Sequence, residues 1–141
     1  MDAPVDLQRF VDAQAPVIKT VTEELRAGRK RSHWMWFVFP QLDGLGHSAM
    51  ARRYAIASLN EARAYLRHPV LGPRLEAWSA LVLQVPDASI HEIFGSPDDM
   101  KFRSSMTLFA QAAPDKGIFT ECLRKYFGGV GDPATLALLS I

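Results

Sequence analysis

The sequence predicts an all-α fold: a compact single domain over residues 1–141, built as a bundle of about seven to nine short helices. Three observations carry that expectation. Apolar residues recur at helical spacing in six segments. Helix start and stop residues punctuate those segments. No two runs alternate apolar and polar residues as paired strands do, so a sheet of three or more strands is not expected.

Leu7, Phe10, Val11 and Gln14 share one helical face, and Asp6 stands where it can cap them. Pro16 opens a second helix, with Val17, Val21 and Leu25 as its stripe and Ile18 alongside; Gly28 ends it. Residues 29–47 break the pattern. Arg29-Lys30-Arg31-Ser32-His33 precedes the run Trp34-Met35-Trp36-Phe37-Val38-Phe39, and Pro40, Gly44 and Gly46 forbid a long helix. This segment reads as a short buried helical or extended piece leading into a Gly-rich loop.

Ser48 to Ile56 reads as a helix, and Ser58-Leu59-Asn60-Glu61 as the capping box of the next, which Pro69 stops after Tyr65 and Leu66. Leu71, Leu75, Trp78, Val82 and Val85 mark a longer helix closed by Pro86. Asp87 to Phe94 is a short helix ended by Gly95. Ser96-Pro97-Asp98-Asp99 looks like a capping serine with proline at the first helical position, followed by Phe102, Met106, Phe109 and Ala113 on the core face. Ile118, Phe119, Cys122, Leu123, Tyr126 and Phe127 form an amphipathic helix stopped by Gly128-Gly129, and Asp132-Pro133 starts a last short one.

Composition excludes several classes. Hydrophobic residues make up 48% and charged residues 22%, a globular balance that can fill a core without disulfide or metal staples. The net charge of +1 provides no whole-molecule field for nucleic acid, which is not favoured as a partner. The longest apolar run, Trp34 to Phe39, is six residues, against the roughly 20 needed to cross a bilayer. The N-terminus MDAPVDLQRF lacks the basic and apolar regions of a signal peptide. Cys122 is the single cysteine and sits among apolar helical neighbours, which reads as a buried thiol in a soluble, cytoplasmic protein. No cofactor motif is present, and the sequence carries no signal for an oligomeric state. The histidines 33, 47, 68 and 91 lack ligand spacing, so no metal site is expected.

Chemistry is most concentrated at residues 26–53, which hold six Lys/Arg against one acid, Asp43. Arg29, Lys30 and Arg31 offer donors for phosphate or carboxylate oxygens. Trp34 and Trp36 offer faces for a planar group, Gln41 an amide, and Gly44-Leu45-Gly46 a close backbone approach. Lys101, Arg103 and Ser104, in the first half of a later helix, form a second cluster that can line the same pocket. Together these suggest a binding site for an anionic, planar small molecule such as a nucleotide or phosphorylated metabolite. His33 and His47 are the candidates for a general acid or base if the protein is an enzyme. The plainer reading makes the tryptophans core, the basic triplet a helix-end charge, and Arg103 an ion-pair partner of Asp99. The alternative function is a regulatory or adaptor module that presents the basic, aromatic surface to a protein or nucleic acid.

The stretches KRSHWMWFVFPQLDGLG, YAIASLNEARAYLRHPVLGPRL and IFGSPDDMKFRSSMTLFAQAA resemble the bacterial domain-of-unknown-function family 1810, sometimes labelled calpastatin, from about Leu7 to Leu139. The resemblance implies an all-helical single domain and no established activity or catalytic residues. The calpastatin label implies a disordered inhibitor, at odds with the apolar periodicity of this chain.

Overall fold

The computed structural model describes residues 6–140. The signal-peptide reading rests partly on residues 1–5, which lie outside the described residues. Helices account for the architecture: α1 (Gln8–Gln14), α2 (Ile18–Arg26), the single turn α3 (Met35–Val38), α4 (Ala49–Arg53), α5 (Leu59–Arg67), α6 (Leu71–Gln84), α7 (Ile90–Phe94), α8 (Asp98–Ala112), α9 (Ile118–Phe127) and α10 (Pro133–Leu138). Among the described residues the one β feature is an isolated parallel bridge between Leu42 and Ile56. None of these helices is long and apolar enough to cross a membrane.

Four helices close a ring of contacts: α5 packs on α6, α6 on α9, α9 on α8, and α8 on α5. Outside it, α2 lies on α6, α7 and α10 lie on α8, and α1 meets α3. The α6 stripe is as its spacing predicts: Leu71, Leu75, Trp78, Val82 and Val85 are all buried. Gly72 shows how tightly this ring closes. A Cβ there would stand 2.1 Å from the Leu66 carbonyl oxygen, so only glycine fits the α5–α6 corner.

Helix α8 is buried on more than the face its apolar spacing marks. Ser104, Ser105, Thr107 and Leu108 are buried along with Phe102, Met106 and Phe109, because α5, α7, α9 and α10 surround it. Two of its hydroxyls tolerate this by bonding within the helix: Ser104 Oγ donates to the Met100 carbonyl at 3.1 Å and Thr107 Oγ1 to the Arg103 carbonyl at 2.8 Å.

Several helix ends differ from the sequence reading, and competition for donors explains most of them. Asp6 does not cap α1; Leu7 holds the cap position with no side-chain bond. Ser58 accepts from the Glu61 N–H at 3.1 Å, but the Glu61 carboxylate pairs with Arg9 at 3.2 Å instead of reaching back, so half of that capping box forms. A guanidinium is the stronger donor. The complete box is at Ser89–Glu92, where both bonds are present, so α7 begins later than Asp87. Ser96 does not cap α8, because the Asp99 N–H already bonds to the Gly95 carbonyl at 2.8 Å and the Met100 N–H to Asp99 Oδ1 at 2.8 Å; Pro97 takes the cap position. The helix read over Ser48–Ile56 stops at Arg53, since Ile56 leaves to pair with the chain at Gln41–Asp43. His68 has a role its sequence position hides. Its Nδ1 accepts from the N–H groups of Val70 and Leu71, at 3.1 and 3.3 Å, at the start of α6.

Cys122 is buried, and burial pushes its thiol up to about 12, which disfavours the reactive thiolate. Trp78 is 3% exposed, with its indole N–H on Thr22 Oγ1 at 3.2 Å. Trp78→Ala is expected to lower stability by about 3–5 kcal/mol in urea unfolding. A loss near zero would show that α6 can repack around the void.

A candidate anion-binding cleft

The basic segment is shaped by a residue outside it. Glu24, near the end of α2, accepts the backbone N–H groups of Arg31 (2.8 Å) and Ser32 (3.0 Å), the Ser32 hydroxyl (2.6 Å) and the Trp34 indole N–H (3.0 Å). Burial opposes ionisation of this carboxyl. The bonds from Ser32, Arg31 and Trp34 outweigh burial and hold its pKa at about 2. The Lys30 N–H then bonds to the Ile93 carbonyl at 2.7 Å, tying the segment to α7.

Trp34, so fixed, is fully buried. It packs with Phe39 and Phe94, and Phe39 and Phe94 each lie 5.0 Å from the Phe102 ring of α8. Trp34 is therefore core and has no face for a ligand. Trp36, two residues on, is half-buried and lines a narrow cleft of about 10 Å³, room for about one water molecule. Met35, Phe39 and Ala51 give the cleft apolar walls, and Gln41, Tyr54 and Lys101 supply its polar groups.

Each polar group is placed by a separate element. The Gln41 carbonyl accepts the Ile56 N–H at 2.8 Å, which anchors this residue at the cleft edge. Tyr54 ends α4 and is 6% exposed. Neither the Gln41 carboxamide nor the Tyr54 hydroxyl has a hydrogen-bond partner among the described residues, and neither is sealed from solvent. Lys101 stands one turn into α8, with its ammonium 5.5 Å from the centre of the Trp36 ring.

The two charge clusters do meet, but through an acid. Asp98 Oδ2 lies 2.9 Å from Lys30 Nζ, whose side chain is 8% exposed, and Asp98 Oδ1 lies 3.6 Å from Lys101 Nζ. Lys30 also sits 5.1 Å over the Trp34 ring. Lys30 is thus neutralised in place, and Lys101 keeps the weaker share of Asp98.

The remaining sequence candidates are elsewhere. Arg103 turns to the far side of α8, where its guanidinium donates to the carbonyls of Val130 (3.1 Å) and Gly131 (3.2 Å) and lies 5.5 Å over Phe127. It forms no ion pair with Asp99, which faces His91 Nδ1 at 3.2 Å. Ser104 is buried against the Met100 carbonyl and the Asp132 carboxylate. Arg29 and Arg31 are exposed, as are His33 and His47, and none of these four lines the cleft. Gly46 serves packing: a Cβ there would come 2.5 Å from the Ala51 Cβ. No group of His, Cys, Asp and Glu among the described residues could hold a metal. Sequence reasoning missed Glu24, Tyr54 and Asp98. Asp98 was hidden by its place in a helix-start motif, and Glu24 by an ordinary-looking amphipathic helix.

Because the folded pKa of Glu24 is depressed, its stabilising effect is fully present above about pH 4.5 and fades as pH falls towards 2. Glu24→Gln is expected to lose about 1.5–3 kcal/mol at pH 7 and to flatten the acid limb of the stability–pH curve. Parallel curves for the two proteins between those pH values would refute the clamp.

Comparison with known proteins supports the fold and assigns no function. The crystal structure of the conserved hypothetical protein Rv1873 from Mycobacterium tuberculosis is 61% identical, covers 99% of both chains and superposes with a TM-score of 0.96. No functionally curated protein matches the chain. The family model described as "Protein of unknown function (DUF1810)" matches residues 4–139, and the chain belongs to that family.

Proposed function

We propose that the protein binds a small anionic molecule with a planar part across the mouth of the cleft bordered by Trp36, Gln41, Tyr54 and Lys101. The observation that carries this is the pairing of an accessible ammonium, over an indole face, with two polar side chains that have no partner among the described residues. Both polar groups are open to solvent, so a ligand would replace water at them. At about 10 Å³ the cleft is far smaller than the roughly 300–1,000 Å³ of ordinary ligand sites, so the ligand would lie across its mouth. The single buried thiol supports a cytoplasmic setting.

The second reading, a regulatory or adaptor module, draws support from the exposed side chains of Arg29, Arg31 and His33, which face solvent outside the cleft. The two separate on which residues matter. Nucleotides and phosphorylated metabolites are screened by thermal shift, and hits are repeated with variants. Lys101→Ala and Trp36→Ala are expected to weaken binding by roughly ten- to a hundredfold, while Arg31→Ala and Arg103→Ala leave it unchanged in folded protein. Unchanged affinity in both cleft variants would overturn the cleft. Binding of a macromolecule that depends on Arg29 and Arg31 alone would favour the adaptor.

A further inference from the structure

Residues 44–52 differ from the rest of the fold in how little holds them. None of residues 43–53 is buried, although Leu42, Tyr54 and Ile56 on either side are. Among the described residues this stretch makes no ion pair. Residues 44–52 hydrogen-bond only among themselves and to residues 53–55 at the end of α4. Their grip on the body of the domain is apolar and partial. Leu45 and Met50 are half-buried against the core, and Ala51 forms one wall of the space beside Trp36 and Lys101.

The two ends of the stretch, by contrast, are fixed. The Asp43 N–H donates to the Ile56 carbonyl and the Ile56 N–H to the Gln41 carbonyl, both at 2.8 Å, which ties the ends together. The Tyr54 ring lies 5.3 Å from Phe37 and 5.8 Å from Phe10, and Arg9 donates to the carbonyls of Arg53 and Ala55, both at 2.9 Å. A compact loop with joined ends can move as a unit while its neck stays closed. Gly44, at φ +101°, sits at that neck in a conformation that side chains with a Cβ rarely adopt. Segments with few buried apolar contacts open at the lowest free energy in a fold, and lids over sites are drawn from them.

We propose that residues 44–52 form a lid, hinged at Asp43–Gly44 and at Arg53–Tyr54, whose opening uncovers Met35, Trp36, Phe39 and Lys101. With the lid shut, the space beneath Ala51 has room for about one water molecule, and a ligand has only the mouth of the cleft. With the lid open, the apolar faces of these residues and the ammonium are reached together. The motion needs no ligand, so it is tested without one.

Met35 is 2% exposed beneath the lid, and Met35→Cys places a second thiol there. Cys122, fully buried with its thiol on the Ser79 carbonyl, is the internal reference, because reaching it requires the core to open. A thiol reagent, with modification followed site by site by mass spectrometry, is expected to label the introduced thiol about a hundredfold or more faster than Cys122, with little acceleration by low urea. In wild type the amides of Arg52 and Tyr54, bonded to the carbonyls of Ser48 and Met50, are expected to exchange with deuterium about a hundredfold or more faster than those of Val38 and Phe39 in α3. This exchange decides the case in which Met35→Cys fails to fold. Gly46→Ala sets a Cβ 2.5 Å from the Ala51 Cβ, drives the loop and α4 apart, and is expected to raise both rates. Labelling of the introduced thiol no faster than Cys122, or lid amides that exchange only with global unfolding, would overturn the lid. Because neither measurement uses a ligand, a rigid lid leaves the anion reading to its own test with Lys101→Ala and Trp36→Ala.

Discussion

Four hydrogen bonds converge on the Glu24 carboxylate, and the arrangement around the cleft follows from them. Without such an acceptor, the backbone N–H groups of Arg31 and Ser32 and the Trp34 indole would have to find partners at a crowded junction. With it, the chain turns back on the end of α2 and delivers Trp34 into the core. The aromatic contacts of Trp34, Phe39, Phe94 and Phe102 then lock α3, α7 and α8 together. That junction sets Trp36 opposite Lys101. An ionised carboxylate suits the task because charge-assisted bonds are stronger than neutral ones, and one group can accept several.

Several cationic side chains in this protein have structural roles. Arg9 pins α1 to the chain around Arg53–Glu61 through two carbonyls and a carboxylate. Arg103 holds the α9–α10 connection, and Lys125 reaches the carbonyls of Leu83 and Val85, both at 2.6 Å, at the end of α6. In each case a long cationic side chain satisfies carbonyls that a helix or turn leaves open. Lys101 differs: it shares Asp98 with Lys30, at 3.6 Å, and its ammonium stands 5.5 Å from the centre of the Trp36 ring at the cleft. That contrast is why the proposed function rests on Lys101.

The core also carries polar bonds that fix its geometry. Gln14 is fully buried, with its amide donating to the Phe37 carbonyl (2.7 Å) and to the Tyr65 hydroxyl (3.0 Å) and its oxygen accepting from Arg74 (3.2 Å). Burial pushes the Tyr65 phenol well above its usual range, so it stays neutral. Asp132 accepts from Ser104 and from Thr135 and joins α10 to α8. Such satisfied networks specify one packing among many that apolar contacts alone would allow.

By itself the sequence determined the helical class, most helix positions and the buried stripe of α6, because apolar period and turn residues are local properties of the chain. The Leu71–Val85 row and the Gly128 stop needed no knowledge of neighbours. It also marked residues 29–47 and 101–104 as the places where charge and aromatic rings concentrate, and Lys30, Trp36, Gln41 and Lys101 do lie together. Tertiary structure alone decided which of the others join them. Lys101 and Arg103 are two positions apart, which on a helix turns them to different faces, towards the cleft and towards Val130. Trp34 and Trp36 divide in the same way, one sealed by Glu24 and Phe94 and the other open. Glu24, Tyr54 and Asp98 gained their roles through contacts with residues distant in sequence, which no local pattern encodes. Helix formation is dictated over a few residues, whereas a binding cleft exists only where separate elements converge.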